Sequence, residues 1–518
     1  MQARFHQVLG NPLTIVGISC MLALVIFHEP TSMYYYLTIA QLVFVPVIVQ
    51  QIVTLGRWQK IAILLGQFAV TSLYFIDHDL VAWFASGVYC VSTVAISWSG
   101  VQRFLQRGFT NVGEMMIDIG LLYIVMGGGW FFAHINDINT GFSPIITWLT
   151  AIHFHYSACL LCITVGLLGR VFTSRYFTIC AAVIASGPML VAVGITFSRI
   201  IEIVSVSLYV IAVFSLTVYT FRIRLRHSAT VFIRIAFLTL SFTIVWSFLY
   251  AYSNLTGTGL VDIPDMLAFH GFLNCLFFGG VVTIAWSIYV PASLHQPYTF
   301  PTSQIRGKGF KKLHLHHALV DDMSCLIDKE RLPFHVVDFY ENTLQYGLTA
   351  SVKWSRWFKP FAFLYQIISK KMEQLNLPFS PEPIVMEGTI MKVDEEVDGR
   401  TDPRVWQRHA NGRTIFSAIY AIHKDSHRAY MNIALPLPKS AMHGILAANV
   451  KDHKLYLTSD ANGDSGTYFS VGRYTFKLPL HEYFTIWEED GEIQATHSMT
   501  IFGVNFLHID YSMQKVKQ

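Results

Sequence analysis

Long, almost uninterrupted apolar stretches fill the first 290 residues of the chain, whereas short alternating stretches fill the remainder. A helix needs about 20 mostly apolar residues to cross a hydrocarbon core about 30 Å thick. Stretches of this kind cover residues 12–28, 33–54, 60–77, 80–99, 112–133, 143–168, 175–197, 200–221, 230–252 and 264–288. The pattern therefore predicts a polytopic α-helical membrane bundle of about ten spans over residues 1–290.

The pattern changes in the second half of the chain. A mainly helical pattern runs over 335–378, and a period of two follows from 384 to 513. Residues 484–487 and 492–495 flank Asp490-Gly491, which is favoured hairpin-turn chemistry. Further strands are expected at 384–394, 413–422, 427–434, 454–458, 467–478 and 500–513. Many short strands at this spacing predict an α+β domain over 313–518 with an antiparallel β-barrel or curved sheet.

The charge distribution agrees with this division. Residues 1–290 hold 12 Lys/Arg and 9 Asp/Glu, whereas residues 291–518 hold 25 and 24. Neither half has the clustered basic surface that a duplex-binding protein needs, so no nucleic-acid partner is expected. The seven cysteines lie mostly in apolar stretches and do not form the framework of a disulfide-rich secreted protein. One half is therefore built for the lipid bilayer and the other for water.

The loops between the predicted spans indicate the orientation. Basic residues follow every second span, and acidic residues dominate the intervening loops. Short cytoplasmic loops carry the Lys/Arg excess, so ten spans place both termini in the cytoplasm. A linker at 291–312 then ends in a basic cluster that would anchor this topology and bind anionic lipid headgroups; its members are Arg306, Lys308, Lys311 and Lys312.

Several short motifs resemble the YndJ family of bacterial membrane proteins. In the apolar half these motifs are Thr150-Ala151-Ile152-His153-Phe154-His155-Tyr156 and His270-Gly271-Phe272-Leu273-Asn274. In the polar half they are Trp406-Gln407-Arg408, Asn411-Gly412-Arg413, Leu435-Pro436-Leu437-Pro438 and Phe506-Leu507-His508-Ile509-Asp510-Tyr511. The resemblance implies this architecture and residence in the bacterial inner membrane. It implies no substrate and no catalytic residues, although members are sometimes labelled as transporters.

Four polar side chains inside predicted spans are candidates for a functional site, because ionisable groups in the hydrocarbon region are costly. His270 and Asn274 share a helix face, whereas His153 and His155 lie about 200° apart on a regular helix. We expect the sixth and tenth spans to meet through them. Three interpretations stay open: a transition-metal or haem site using His153, His155 and His270, a proton relay coupled to transport, or hydrogen bonds that only pack helices.

Glu114 and Asp118 form a second polar pair, four residues apart on the fifth predicted span. They share a helix face and would bind a cation or a proton from the cytoplasmic side. The competing interpretation is that Arg103 and Arg107 neutralise them.

The soluble half contains six candidate pocket residues, namely Trp406, Arg408, Glu482, His497, His508 and Asp510. An arginine with carboxylates inside a barrel would orient an anionic or polar ligand. The alternative is that these side chains point outward to water. An aromatic stretch from Trp354 to Leu364 would lie either in the core or against the membrane surface.

The function that these patterns favour is a transporter or a transport-associated membrane protein. Polar residues occur across several spans, and no Ser-His-Asp spacing, His-Glu-x-x-His motif or glycine-rich phosphate loop is present. One alternative is a membrane-embedded metal- or haem-dependent enzyme. The other is a membrane-anchored sensor whose β domain binds a ligand.

Overall fold

The computed structural model describes residues 2–28, 33–225, 228–296, 298–307, 314–372 and 376–516. The chain forms two compact units. The first comprises Met1–Phe104 and Asn111–His295, and the second comprises Leu105–Thr110 and Gln296–Gln518. The loop Leu105–Thr110 therefore groups with the second unit.

The first unit is entirely helical in its described part. Its helices are α1 (Gln2–Leu9), α2 (Pro12–Phe27), α3 (Tyr35–Ile52), α4 (Arg57–Ser72), α5 (Asp79–Leu105), α6 (Val112–Ile135), α7 (Pro144–Gly169), α8 (Arg175–Phe197), α9 (Arg199–Arg222), α10 (Ala229–Thr256) and α11 (Ile263–Ile288). Within the described ranges, eight of them, α3 and α5 to α11, are long and apolar enough to cross a membrane. This confirms the predicted helical membrane bundle, with the shorter α2 and α4 at the two remaining predicted spans.

Local signals set the ends of these helices. The side chains of Asn11, Asn111 and Ser174 accept hydrogen bonds from the first backbone N–H groups of α2, α6 and α8. Such caps satisfy donors that have no partner within the helix. At its other end, α10 stops at Gly257, whose φ of 71° is the left-handed conformation that favours glycine.

Three of the long helices contain π-helical turns. These are Ala40–Phe44 in α3, Phe154–Leu160 in α7, and Met266–Gly271 with Leu273–Gly280 in α11. The π segments of α3, α7 and α11 pack against one another. Gly279 allows this approach, because a Cβ there would lie 2.6 Å from the ring of Tyr156. π-helical turns occur frequently at functional sites.

The second unit is a β domain with three α-helices, α12 (Phe334–Glu341), α13 (Lys359–Met372) and α14 (Glu395–Asp398). Its strands are β1 (His314–His316), β2 (Tyr346–Trp354), β3 (Ile384–Lys392), β4 (Arg404–Ala410), β5 (Arg413–Lys424), β6 (Ala429–Leu437), β7 (Ser440–Lys451), β8 (Lys454–Thr458), β9 (Gly466–Val471), β10 (Tyr474–Lys477), β11 (Leu480–Glu489), β12 (Glu492–Ile501) and β13 (Val504–Lys515).

Ten of these strands close into an antiparallel barrel, which confirms the predicted β architecture. The order is β7-β6-β5-β4-β3-β2-β13-β12-β11-β8, and β8 pairs back onto β7. Outside the ring, β9 pairs with β7, β10 with β9, and β1 with β3. The predicted hairpin joins β11 and β12, with φ of 52° at Asp490 and 79° at Gly491. Positive φ at both positions is the geometry of a type I′ turn.

The segment expected to be helical over 335–378 differs in its middle. Helix α12 ends at Glu341, and strand β2 follows before α13 begins. In β2 the buried positions alternate, at Tyr346, Leu348, Ala350 and Val352, and all nine residues pair with β13. This period of two is short and lies between two helices, so the flanking helical pattern hides it in the sequence.

Candidate functional sites

The barrel of the second unit encloses a cavity of about 160 Å³. Most of the wall is apolar, and the polar side chains in it are Tyr340, Trp406, Arg408, Tyr420, Glu482, His497 and Tyr511. The cavity is therefore an apolar chamber with one small group of polar side chains.

Strand alternation decides which of the six candidate pocket residues reach this chamber. Successive side chains of a strand point to opposite faces, so Trp406 and Arg408 of β4 both point inward. Glu482 of β11 and His497 of β12 also line the cavity. His508 and Asp510 do not line it, because Leu507, Ile509 and Tyr511 of the same strand occupy the inner face.

Arg408 has unusual surroundings for a buried cation. It is 8% exposed, and its guanidinium carbon lies 4.4 Å from the ring centre of Trp406 and 4.1 Å from that of Phe416. One terminal nitrogen is 3.5 Å from the Tyr420 hydroxyl, and Nε has no hydrogen-bond partner within the described ranges. Burial raises the pKa of Tyr420, so this phenol stays neutral. Among the described residues, no carboxylate forms an ion pair with Arg408.

Glu482, by contrast, has partners inside the chamber. Its Oε2 lies 3.3 Å from Nε2 of His497, and its Oε1 lies 3.5 Å from the Thr467 hydroxyl. The His497 ring stacks on Phe484 with ring centres 3.7 Å apart. The acidic group of the cavity therefore contacts His497 and Thr467, whereas the basic group contacts aromatic rings and a phenol but, among the described residues, no carboxylate.

The two remaining candidates form a hydrogen-bond chain on the outer face of the barrel. Ser498 Oγ lies 2.8 Å from His508 Nδ1, and His508 Nε2 lies 2.9 Å from Asp510 Oδ1. Lys353 donates to Oδ2 of Asp510 over 2.8 Å. Linear spacing could not reveal this Ser-His-Asp set, because Ser498 faces His508 across two strands. Ser498 lies in the middle of β12, which is paired with β11 on one side and β13 on the other. The surrounding backbone N–H groups are therefore engaged in the sheet and do not form an oxyanion hole.

Among the intramembrane histidines, His155 is fully engaged by the protein. Its Nδ1 lies 2.8 Å from the Ala151 carbonyl oxygen, which can only accept, so Nδ1 carries the proton. Its Nε2 then accepts from the Tyr89 hydroxyl over 2.6 Å. The ring is buried and stacks on that of Tyr89. This arrangement packs α7 against α5.

His153 and His270 have a different arrangement. Nδ1 of His153 donates to the Leu149 carbonyl over 2.7 Å, and Nδ1 of His270 lies 3.0 Å from the Thr243 carbonyl. The His153 side chain is exposed although most of α7 is buried. His270 lies within electrostatic range of His153. Neither Nε2 has a hydrogen-bond partner in the part of the chain that the structure describes.

Asn274 lies beside Thr243 and His270. Its Oδ1 accepts from the Thr243 hydroxyl over 2.7 Å, and its amide nitrogen lies 3.2 Å from His270 Nδ1. The set proposed as a metal site from the sequence is therefore divided, because His155 turns toward Tyr89. Across the described residues, no group of three or more His, Cys, Asp or Glu side chains is placed to hold a metal ion.

Glu114 and Asp118 lie in a buried network of ion pairs. Arg170 contacts Glu114 with two nitrogens, at 2.7 and 2.9 Å, and Arg103 also bonds Glu114. Arg103 Nε lies 2.8 Å from Asp118 Oδ1. The Leu294 N–H donates to Glu114 over 2.8 Å. The partner expected from the sequence, Arg107, instead belongs to the second unit, and Arg170 takes its place.

Of the basic cluster in the linker, the structure describes only Arg306. Its Nη1 donates to the backbone oxygens of Ser303 and Ile305 over 2.7 and 2.9 Å. Lys308, Lys311 and Lys312 lie outside the described residues. Binding of anionic headgroups at this cluster therefore stays a prediction.

Comparison with known proteins agrees with this architecture. A family model described as YndJ-like protein matches residues 35–278. The chain is 34% identical over 459 residues to the uncharacterized membrane protein YndJ of Bacillus subtilis (strain 168), covering 83% of this chain and 84% of that protein. No solved structure matches the chain. The chain therefore belongs to the YndJ-like family and is an integral membrane protein.

Proposed function

We propose that this protein is a membrane-anchored binding protein whose C-terminal barrel holds a small, mostly apolar ligand with an acidic group. The observation that carries this proposal is Arg408, a buried guanidinium in an apolar chamber with no carboxylate partner among the described residues. The function closest to it among those considered from the sequence is the membrane-anchored sensor.

The physical argument rests on the cost of an unpaired buried charge. A charge removed from water is destabilising unless an opposite charge and hydrogen bonds compensate it. A guanidinium binds a carboxylate through two parallel N–H groups, and Nε of Arg408 is free to be one of these donors. A ligand carboxylate would therefore supply the negatively charged partner that Arg408 lacks in the barrel.

The apolar wall and the volume of the cavity restrict the polarity and the size of the ligand. Its wall is lined mainly by leucine, isoleucine, methionine and phenylalanine, which favour an alkyl chain or a ring system. Burial raises the pKa of Tyr511, so this tyrosine stays a neutral hydroxyl beside Arg408. A cavity of about 160 Å³ fits a medium-chain acid better than a full phospholipid.

Photolabelling of the full chain tests this proposal. The probe is dodecanoic acid with a diazirine on its chain, added to protein in nanodiscs and mapped by peptide mass spectrometry. We expect labels on cavity-lining peptides that contain Met431 and Met442. Excess decanoic acid should remove these labels, whereas decanol should not, because only the acid pairs with Arg408. Labels that decanol removes equally well would refute the acid-binding site.

The intramembrane pair His153 and His270 supports a second candidate function, proton-coupled transport. Each ring is held by a backbone carbonyl at Nδ1, and neither Nε2 has a hydrogen-bond partner among the described residues. A neutral imidazole held in this way can accept and pass on a proton. The same free Nε2 atoms could instead ligate a metal or haem, which is the enzyme alternative.

Proton flux and metal content of the purified protein distinguish these alternatives. If the pair relays protons, vesicles that contain the protein will take up protons under an imposed potential, and His270→Asn will abolish this uptake. The matched control is His155→Asn, because His155 is engaged by Tyr89. A stoichiometric transition metal or a haem absorption band that His270→Asn removes would support the metal site instead. If neither proton uptake nor a bound metal or haem is observed, both histidines act only in helix packing.

A further inference from the structure

Helix α13 carries an apolar surface that the protein leaves uncovered. Phe361, Phe363 and Leu364 are 59%, 60% and 60% exposed, and Trp357 just before the helix is 46% exposed. Single exposed apolar residues are ordinary, but a contiguous group of large ones marks an interaction surface. This aromatic stretch was expected either in the core or against the membrane surface, and its exposed members do not lie in the core.

The packed side chains of this segment hold the exposed ones in place. Phe358 stacks on Trp354 at the end of β2 and contacts the ring of Phe506, with ring centres 5.8 and 4.5 Å away. Ala362 is buried, with 3% exposure. The segment is thus attached to one end of the barrel by part of its apolar residues, and the remaining ones face outward as a defined surface.

The segment that carries this surface is basic in sequence, and one of its basic residues, Lys353, is paired with Asp510. Residues 351–372 contain the basic residues Lys353, Arg356, Lys359, Lys370 and Lys371, and no acidic residue. Arg356 and Lys359 are exposed beside the aromatic group. A helix with large apolar residues on one face and basic residues around it is typical of segments that lie in the membrane interface.

We propose that α13 is an interfacial helix that binds the anionic surface of the bilayer in which the first unit resides. The apolar residues enter the headgroup region, and the nearby Lys and Arg side chains are attracted to anionic lipid. The membrane helices already tether the chain to this bilayer, so docking is an intramolecular event with a high effective concentration. This inference does not depend on what the barrel binds.

Quenching by spin-labelled lipids measures this docking in the full chain. The protein carries Phe363→Cys with an environment-sensitive fluorophore, and it is placed in nanodiscs of phosphatidylcholine and phosphatidylglycerol, one copy per disc. The matched control is Phe334→Cys in α12, a phenylalanine that is 71% exposed. The described cysteines are buried or half-buried, so the wild-type chain gives the labelling background. We expect strong quenching at position 363 and little at 334.

Charge changes test the anionic part of the proposal. Replacing phosphatidylglycerol by phosphatidylcholine, or introducing Arg356→Glu with Lys359→Glu, should reduce quenching at 363 at least several-fold. Both side chains are exposed, so the thermal midpoint should stay unchanged and exclude misfolding. Equal quenching at positions 363 and 334, or no quenching at 363, would overturn the proposal. Quenching at 363 that appears only with two copies of the protein per disc would also overturn it.

Discussion

Replacing Arg408 by methionine is expected to weaken binding of decanoic acid to the barrel by at least about 30-fold, because truncating one member of a buried charge pair costs about 2–5 kcal/mol. Methionine keeps an unbranched chain between Trp406 and Phe416, so the packing of the barrel changes little. Without a bound acid the variant should be as stable as the wild type or more so, since it removes an uncompensated charge. Competition against the photoactivatable acid measures the affinity.

The matched control for this prediction is Arg473→Met. Arg473 also lies over an aromatic ring, that of Tyr474 at 5.1 Å, but on the exposed surface of the domain. Its replacement should leave acid binding unchanged. Equal losses in both variants would assign the effect to overall charge, and unchanged binding in Arg408→Met would refute Arg408 as the anchor of the ligand.

Replacing Glu114 by leucine is expected to lower the free energy of unfolding by about 3–5 kcal/mol, because it leaves a buried charge without its partner. Glu114 is fully buried and receives hydrogen bonds from both Arg103 and Arg170. In the variant only Asp118 remains to compensate two arginines, and Arg170 is the one left without a carboxylate. Thermal and denaturant unfolding of the wild type and the variant, both in one detergent, measures the change in the free energy of unfolding.

A double variant provides the control for this second prediction. Glu114→Leu with Arg170→Leu removes one charge of each sign and keeps the pair of Arg103 with Asp118. Because no buried charge is then unmatched, the double variant should be more stable than Glu114→Leu alone. A double variant that is less stable than the single one would show that Arg170 acts through contacts other than Glu114.

The sequence predicted the elements whose signal is local. The membrane helices follow from apolar stretches of sufficient length, and each of the ten predicted spans corresponds to one helix from α2 to α11. The β11–β12 hairpin follows from Asp490-Gly491, since few other residue pairs accept positive φ at both turn positions. Both signals depend on neighbouring residues only.

The features that the sequence did not reveal depend on contacts between distant segments. Placing His508 and Asp510 on the outer face requires the register of β13, and a register shift at Met499/Thr500 interrupts its pairing with β12. The partnership of Glu114 with Arg170 joins the start of α6 to the residue after α7, and His155 meets Tyr89 of α5. These residues are far apart in the sequence, and hydrophobic periodicity reports only on neighbouring residues, so it could not predict these contacts.

Native mass spectrometry of the full chain, released from detergent after incubation with excess decanoic acid, shows whether Arg408 anchors an acid in the barrel. We expect one bound acid per chain for the wild type and for Arg473→Met, and none for Arg408→Met. A wild-type chain that carries no acid under these conditions, or an Arg408→Met chain that carries it as fully as the wild type, would contradict the proposed acid-binding site.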